Sequence, residues 1–413
     1  MRNIFSRWFA NRKNRIERRL DKTKDTPTVE PQLAARNIHY EVSDKANGLR
    51  CGGIGALHLL ARRIGLIDDI DRNLHLLKVH LPYHESDHVL NFAYNALCNG
   101  TCLQDIELRR TDENFLDALG TRRIPDPTTA GDFCRRFTDN DVETLIDALN
   151  VTRRRVWAEQ PDDFFACATI DLDGTLTPTT GQCKQGMDIA YNGVWGYHPL
   201  IVSLANTGEI LSVINRSGNR PSHENAAREV DRALLVCLQG GFRKVLVRGD
   251  TDFSQTAHLD GWDLSSRVRF IFGFDAIPKL TALADELPEK VWRRLKRPAR
   301  YQVQTQPRQR PANVKDRIVK ERGFETLRLQ SEDVAEFDYQ PLACRKSYRM
   351  VVVRKNITRE KGERALFDEV RYFFYITNER EGSADDIVFS ANDRCNQENL
   401  IAHTAPLLDR SRR

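Results

Sequence analysis

The stretch Ala166-Cys-Ala-Thr-Ile-Asp-Leu-Asp-Gly-Thr175 is a continuous apolar run that ends in two carboxylates. An apolar run of this length, bounded by turn residues, predicts a buried β-strand. Carboxylates at the end of a buried strand are costly to desolvate unless they meet a cation or take up protons. Taken alone, either Asp171 or Asp173 has a simpler interpretation, in which an aspartate closes the strand into a turn.

A second run, Lys244-Val-Leu-Val-Arg-Gly-Asp250, ends in the same way and is followed by Asp252. This repetition weakens the turn interpretation, because two strands then deliver carboxylates to one edge of a sheet. Carboxylate oxygens at such an edge are the ligands that Mg²⁺ and similar ions prefer. The sequence therefore predicts a divalent-metal site between these strand ends.

The elements around the two strands follow the order β-β-β-α-β-α-β, which predicts an α/β fold with a mixed sheet under helical cover. Asn206-Thr-Gly208 predicts a hairpin between two of the strands. We expect one helix to be capped by Ser222 and ended by Gly240-Gly241, and a short helix to be capped by Ser254. The predicted strands are 166–173, 198–205, 209–215, 244–249 and 268–274.

Residues 53–158 show helical periodicity. We expect helices that bury Leu57 and Leu60, one that is capped by Ser86-Asp87, and one that is capped by the threonines of Pro125-Asp-Pro-Thr-Thr129. Arginines on the later helices suit a DNA groove. The alternative is a plain helical bundle whose arginines are solvated.

Beyond residue 276 the alternation of strands and helices stops. Runs such as 348–353 and 371–377 predict further strands, and a polar helix is expected from about Asp385 to Ile401. We divide the chain into a basic tail and linker (1–36), a helical DNA-binding domain (37–160), a first part of the catalytic core (161–276), a β-rich basic insertion (277–378) and a C-terminal part of the core (379–413).

The formal net charge of +5 is unevenly distributed. Basic residues are concentrated in the first 25 residues and in the block 290–322, where Trp8, Trp292 and Tyr301 are interleaved with them. Basic clusters with aromatic residues suit a polyanion such as nucleic acid. A solvated basic surface is the alternative. The cations of the second block that we expect to bind DNA are Arg293, Arg294, Lys296 and Arg297.

Other features of the sequence limit the class of protein. No apolar run approaches the roughly 18 residues of a membrane span. The N-terminus lacks the apolar region of a signal peptide, so a cytoplasmic location is predicted. The nine cysteines are scattered and form no CxxC pair, which indicates reduced structural thiols.

Asp171-Leu-Asp173-Gly-Thr-Leu176 resembles the first motif of haloacid-dehalogenase-type phosphatases. In that family the position of Asp171 is a nucleophile and that of Asp173 a general acid or base. The motif here follows more than 150 residues, and a hairpin stands where a crossover helix is expected. This family is therefore the alternative enzyme.

Three acids in order resemble the DDE core of cut-and-paste transposases of bacterial insertion sequences, which has a ribonuclease-H-like fold. Asp173-Gly-Thr175 matches the first acid, Arg248-Gly-Asp250 the second, and the spacing from Arg394 to Glu398 matches the third, on a helix beyond a β-rich insertion. The stretches Gly186-Met-Asp-Ile-Ala-Tyr-Asn-Gly193, Gly196-Tyr-His-Pro-Leu200 and Asn215-Arg-Ser-Gly-Asn-Arg-Pro-Ser-His-Glu224 are typical of one branch.

The resemblance implies that Asp173, Asp250 and Glu398 hold two Mg²⁺ ions, with Mn²⁺ as a substitute, and that Asp171 and Asp252 are fallback ligands. It also implies that Arg248 and Arg394 bind DNA, with a salt link to Glu398 as the alternative for Arg394. The partners would be double-stranded DNA, as terminal inverted repeats and target, and a second copy of the chain in a synaptic homodimer. His198 and His223 are interpreted as structural.

Two positions depart from the family pattern. A tyrosine is expected three residues before Arg394 and a lysine seven residues after Glu398, but the chain has Ala391 and Ala405 there. The C-terminus is also shorter than the family pattern. A truncated, catalytically dead relic that only binds DNA is therefore the non-enzymatic alternative.

Overall fold

The computed structural model describes residues 48–179, 184–297, 314–361 and 364–394, together with Asn14 and Leu33. The chain forms two units, of which the first ends at Val156 and the second begins at Trp157. The predicted basic tail lies almost wholly outside the described residues, and so does the C-terminal stretch with Glu398.

The first unit consists of helices, as the periodicity of residues 53–158 predicts. The helix α1 buries Ile54, His58 and Ala61, whereas Leu57 and Leu60 are 43% and 51% exposed, so the predicted burial of these two leucines was wrong. A histidine is tolerated inside because its Nδ1 lies 2.9 Å from the Tyr94 hydroxyl. The helices are α1 (Ile54–Arg63), α2 (Leu66–Asn73), α3 (Glu85–Leu97), α4 (Ile106–Arg110), α5 (Glu113–Ala118), α6 (Pro127–Cys134) and α7 (Asp139–Trp157).

Two helices of this unit begin differently from the prediction. The N-cap of α3 is His84, and the Asp87 carboxylate accepts its N–H at 2.9 Å from inside the first turn. The N-cap of α6 is Asp126, whose carboxylate accepts the N–H groups of Thr128 and Thr129 at 2.9 and 3.0 Å. A carboxylate serves two backbone donors and complements the helix dipole, which a threonine hydroxyl does not.

The second unit is built on a nine-stranded sheet with the order β6-β5-β1-β7-β8-β12-β11-β10-β9. The three central strands β1, β7 and β8 are parallel to one another. Every other pair of neighbouring strands in this sheet is antiparallel. The strands are β1 (Cys167–Gly174), β5 (Leu200–Leu204), β6 (Glu209–Ile214), β7 (Lys244–Gly249), β8 (Val268–Phe274), β9 (Arg293–Arg294), β10 (Glu325–Tyr339), β11 (Tyr348–Lys361) and β12 (Arg364–Thr377). The strands predicted beyond residue 276 therefore extend the same sheet.

Three very short strands form a separate sheet of order β2-β4-β3 in this unit. The remaining helices of the unit lie between or after the strands of the large sheet. The short strands are β2 (Thr177–Pro178), β3 (Asp188–Ile189) and β4 (Trp195–Tyr197). The helices are α8 (Ala226–Gln239), α9 (Thr256–Trp262), α10 (Pro278–Asp285), α11 (Val314–Glu321) and α12 (Ala384–Asn392).

The period of two along the strands separates the two faces of the large sheet. Ala168, Ile170 and Leu172 of β1 point into a core shared with α8, α9 and α10. The opposite face packs α12 through a smaller cluster that includes Ile387 and Val388. Because Asp171 and Asp173 alternate with the apolar residues of β1, they lie on the face that α12 covers.

Three helix boundaries of this unit differ from the prediction. α8 begins at Ala226 after Asn225, which has a φ of 63°, and not after Ser222. α9 begins after Gln255 and not after Ser254. The residues 222–224 cannot join α8, because two of their carbonyl groups are bonded to the guanidinium of Arg216.

α12 is the third difference, because it ends at Asn392 and does not include Arg394, while residues 395–401 of the predicted helix lie outside the described residues. Arg394 therefore lies two residues beyond the helix. Asn and Asp favour helix ends because their side chains compete for backbone groups, and Asn392 and Asp393 stand at this end. Among the described residues no helix is both long and apolar enough to cross a membrane.

We predict that Glu85→Ala destabilises the helical unit by roughly 2–4 kcal/mol. The buried Glu85 carboxylate accepts the N–H groups of Leu76 and Leu77 at 2.9 and 2.8 Å and lies 3.0 Å from His80 Nε2. Its removal leaves these half-buried donors without their acceptor. Urea denaturation followed by circular dichroism measures the change.

The matched control is Glu107→Ala. The side chain of Glu107 is 45% exposed and forms an ion pair with Arg110 at 3.1 Å. We expect a change of less than about 0.5 kcal/mol, because exposed ion pairs contribute little. Equal effects of the two substitutions would contradict the assignment of Glu85 as a structural acceptor.

Candidate active site

Asp173 and Asp250 lie together at one edge of the large sheet. Asp173 is near the end of β1, and Asp250 directly follows β7, which is the parallel neighbour of β1. The carboxyl ends of parallel strands meet at the same edge, so the backbone itself brings these two side chains together. The Asp173 carboxylate accepts the Gly174 N–H at 2.8 Å, and that of Asp250 accepts the Asp252 N–H at 3.0 Å.

The guanidinium of Arg394 lies between the two carboxylates. Its Nη1 is 3.7 Å from Asp173 Oδ2, and its Nη2 is 3.8 Å from Asp250 Oδ2. Arg394 also donates to the carbonyl oxygen of Leu172 at 3.2 Å. The two aspartates thus share one positive group, which is the electrostatic condition under which adjacent carboxylates both stay charged.

The environment of Asp250 works against its negative charge. Burial raises the pKa of Asp250 above its ordinary value, and the nearby Arg394 guanidinium opposes that rise. Asp252 and Asp275 also raise it through their charges. A divalent cation at this position would therefore relieve an unfavourable interaction that the fold creates.

Asp171 has a different environment from Asp173. It is 1% exposed, and Arg248 on the neighbouring strand donates two hydrogen bonds to it, from Nε at 2.7 Å and from Nη2 at 2.8 Å. The third nitrogen of Arg248 donates to the carbonyl oxygen of Ser390 in α12 at 2.7 Å. This buried ion pair therefore joins β1, β7 and α12 below the acidic edge, and the carboxylate faces away from solvent.

A cavity of about 690 Å³ opens at the acidic edge. Its walls combine the acids with polar and basic side chains from the segment 218–223 and with the phenol of Tyr191. Asp171 and Arg248 are not part of this wall. The lining residues are Asp173, Gly174, Thr175, Leu176, Tyr191, His198, Gly218, Asn219, Arg220, Pro221, Ser222, His223, Asp250, Asp252 and Phe253.

Arg216 holds the segment 218–223 of the cavity wall in place. No pattern in the sequence predicted this role. Its guanidinium is buried and donates to the carbonyl oxygens of His198, Ser222 and Glu224 at 2.8, 2.6 and 2.9 Å. Burial lowers the pKa of Arg216 to about 10. The stretch 215–224 was singled out as typical of a transposase branch, but nothing in it predicted which arginine turns inward.

His198 packs against the strand that carries Asp173. Its Nδ1 lies 3.1 Å from the Arg220 carbonyl oxygen, and its Nε2 would lie 2.7 Å from a Cβ atom built on Gly174. Burial lowers the pKa of His198. A glycine after Asp173 therefore leaves the space that the imidazole fills, as expected for a structural histidine. His223 lines the cavity, and its carbonyl oxygen accepts a hydrogen bond from Gln255 at 2.9 Å.

Four described cations of the basic block lie at the far edge of the sheet, on β9 or directly after it, and three of them have acidic partners. Arg297 forms two hydrogen bonds with Glu332 at 2.8 and 2.9 Å. Arg293 and Arg294 lie 3.9 Å from Asp385 and Asp333, respectively. All three arginines and Lys296 are exposed.

Trp292 precedes these cations and packs into the protein. The Arg354 guanidinium lies 4.3 Å from the centroid of its ring, and the ring of Tyr372 lies at 6.2 Å. Its side chain packs against the main core of the unit. Trp292 therefore has a packing role in the fold.

Within the described part of the chain, no group of three or more His, Cys, Asp or Glu side chains is arranged to hold a metal ion. The structure brings together Asp173, Asp250, Asp252 and Arg394. The third predicted acid, Glu398, lies outside the described residues, four positions beyond Arg394.

We predict that Arg248→Ala destabilises the second unit by about 3–5 kcal/mol, because it removes the charged group that donates two hydrogen bonds to the buried Asp171 carboxylate. The double variant Asp171→Ala, Arg248→Ala should lose less free energy of unfolding than the two single variants lose together, because it removes both charges. Urea denaturation of the four proteins measures the coupling. Additive effects would contradict a direct ion pair.

The family model described as "Transposase DDE domain group 1" matches residues 47–412. Among solved structures, the chain is similar to a piggyBac transposase in a synaptic complex with hairpin DNA. That similarity has a TM-score of 0.35 and 12% sequence identity, and covers 83% of this chain and 68% of the other.

No curated protein matches the chain. The family model covers most of the chain. That model spans both units and includes every residue of the acidic edge. The chain belongs to the family of transposases with a DDE domain of group 1.

Proposed function

We propose that this chain binds the terminal inverted repeats of a bacterial insertion sequence and catalyses DNA strand cleavage and strand transfer by a two-metal DDE mechanism. The observation that carries the proposal is the position of Arg394, a cation shared by two carboxylates from adjacent parallel strands. A site that attracts one positive group between Asp173 and Asp250 is suited to divalent ions as well.

The arrangement of the first strands supports a ribonuclease-H-like core. β5 and β6 lie on one side of β1 and are antiparallel to their neighbours, whereas β7 and β8 lie on the other side and are parallel to β1. The domain plan remains part of the proposal, with residues 37–160 recognising the ends and 277–378 as a β-rich insertion.

The residues at the acidic edge fit Mg²⁺ or Mn²⁺. They offer carboxylate oxygens only, which are the ligands that hard divalent cations prefer. Asp173 and Asp250 would hold both ions, and Glu398 would complete the coordination of one of them. Two such ions would activate a water molecule or a DNA 3′-hydroxyl group and stabilise the leaving oxygen.

The chain's own residues would do the remaining work. Arg394 would leave the carboxylates when they bind metal and hold a phosphate of the DNA, since a guanidinium pairs well with phosphate oxygens. Arg220 and Asn219 in the cavity wall would orient the strand. We assign Arg248 to positioning α12 rather than to DNA, because its three nitrogens are bonded within the fold.

Arg293, Arg294, Lys296 and Arg297 would contact the DNA backbone from the far edge of the sheet. Their exposed positions are compatible with this role, although acidic partners reduce their net charge. Two ends must be held together for strand transfer, so the proposal includes a homodimer in the synaptic complex. A cytoplasmic location also remains part of the proposal.

A DNA-binding relic without activity is the second candidate, and Ala391 and Ala405 are the observations that favour it. The phosphatase alternative loses support from the geometry. Its nucleophile would be Asp171, which is buried in the pair with Arg248 and does not line the cavity.

We predict that Mg²⁺ raises the melting temperature by a few degrees, roughly 2–6 °C at saturating concentrations. Burial raises the pKa of Asp250 in the folded protein. The free energy of unfolding should therefore fall as the pH rises and the Asp250 carboxylate becomes charged. Mg²⁺ binds the charged form, so its stabilisation should grow over the same pH range. Differential scanning fluorimetry at several pH values measures it.

The variant Asp250→Asn should lose this Mg²⁺ effect, and Glu286→Gln, which removes an exposed acid elsewhere in the same unit, should keep it. A Mg²⁺-dependent shift that survives in Asp250→Asn would place the ion somewhere else.

We predict that Asp173→Asn, Asp250→Asn and Glu398→Gln each reduce Mg²⁺-dependent nicking of a duplex with the element's own terminal repeats by more than about 100-fold. DNA affinity should remain, because its main contribution is from phosphate contacts elsewhere. Cleavage and gel-shift assays measure both. Binding without cleavage by the unmodified chain would support the relic instead.

A further inference from the structure

The small sheet β2-β4-β3 stands beside the acidic cavity, and the DDE chemistry assigns it no role. It carries a tight turn, residues 190–193, in which Ala190 and Val194 are joined by a hydrogen bond of 2.8 Å and Gly193 has a φ of 81°. We call the segment from Asp188 to Tyr197 the flap. Its sequence belongs to a stretch that is typical of the transposase branch.

One face of the flap is anchored to the cavity wall. Gly218 donates to the Gly196 carbonyl oxygen at 3.1 Å, and Asn219 donates to the Asp188 carboxylate at 2.6 Å. The approach is so close that a Cβ atom on Gly218 would lie 2.5 Å from the Asp188 carbonyl oxygen. The flap is therefore held at a defined position beside the acids.

Three large side chains of the flap are exposed, although Ala190 between them is buried. Ile189 and Trp195 form a cross-strand pair and are 47% and 53% exposed. Tyr191 at the turn is 91% exposed, yet it is also part of the cavity wall that contains Asp173 and Asp250. A tyrosine that lines an acidic cavity and is almost fully exposed in the part of the chain that the structure describes is available to a ligand.

The surroundings of Tyr191 specify the kind of ligand. The acids would hold a phosphate through metal ions, and Arg220 and Asn219 on the same wall supply donors for a nucleic-acid strand. A flat aromatic ring beside a phosphate site suits the face of a base. A base in a duplex presents only its edges, so the ring can stack only on a base that has left the helix.

We propose that the flap is a stacking platform for an unpaired base next to the phosphate that is cut, with Tyr191 as the stacking residue and Trp195 extending the platform. The proposal rests on the proposed function, because it requires DNA at the acidic edge. Tyr191 would select and hold a locally melted end, and so contribute to which phosphate reaches the acids.

The direct test measures binding of two oligonucleotides of equal length, one of thymidine nucleotides and one with abasic sites in place of the bases. The unmodified chain should prefer the first, and Tyr191→Ala should lose about 5- to 100-fold in affinity for it while binding the abasic strand unchanged. Tyr191→Phe should retain the preference, because stacking needs the ring and not the hydroxyl group.

Leu264→Ala serves as the control, because Leu264 is 82% exposed and does not line the cavity. It should behave like the unmodified chain, and all three variants should keep the melting temperature. Equal losses of Tyr191→Ala on both strands, or a Tyr191→Phe variant as weak as Tyr191→Ala, would overturn the stacking role. A large fall in melting temperature of Tyr191→Ala would do so too, because the ring would then be packed.

A second measurement separates this proposal from the proposed function. Tyr191→Ala should cut a fully paired terminal repeat more slowly, and mismatched bases beside the cleavage position should restore much of the rate. Unchanged rates on the paired substrate would overturn the stacking platform alone. If the unmodified chain neither binds nor cuts DNA, the proposed function fails, and the stacking proposal fails with it.

Discussion

The buried pair of Asp171 and Arg248 is the interaction on which the arrangement of the acidic edge depends. It is formed between adjacent parallel strands, and Arg248 also bonds to the Ser390 carbonyl oxygen of α12. A buried charge needs a partner with good geometry. A shift of either strand would break the hydrogen bonds between these two buried charges. The pair therefore sets the relative positions of β1, β7 and α12, the elements that carry or precede the acids.

Because side chains alternate along β1, the pair also determines where the second aspartate of this strand lies. Asp171 and Asp173 point to the same face of the sheet, two residues apart, and only the inner one meets Arg248. The outer one lies at the edge and shares Arg394 with Asp250. One aspartate thus stabilises the fold, and the other remains available for ligands, which separates two residues that the sequence presents as equivalents.

The wall opposite the acids depends on a second buried arginine. Arg216 binds carbonyl groups of the segment before α8, delays the start of that helix and shapes the polar side of the cavity. The flap is fixed to this segment through Gly218 and Asn219. One cavity is therefore lined by the aspartates, the polar wall segment and the exposed Tyr191 ring. The buried guanidinium groups of Arg216 and Arg248 hold the backbone that surrounds it.

The sequence by itself determined the five strands of the core, their order along the chain and the acids at their ends. These follow from local hydrophobic runs and turn residues, which act over a few positions. The helix caps at Ser222 and Ser254 and the inclusion of Arg394 in α12 were wrong, because buried hydrogen bonds and neighbouring residues decide where helices begin and end. Only the tertiary structure decided that Asp171 is buried while Asp173 faces the cavity, that Arg216 and Arg248 turn inward, and that the strands beyond residue 276 join the same sheet. Each of these depends on contacts between residues far apart in the chain, which no local pattern encodes.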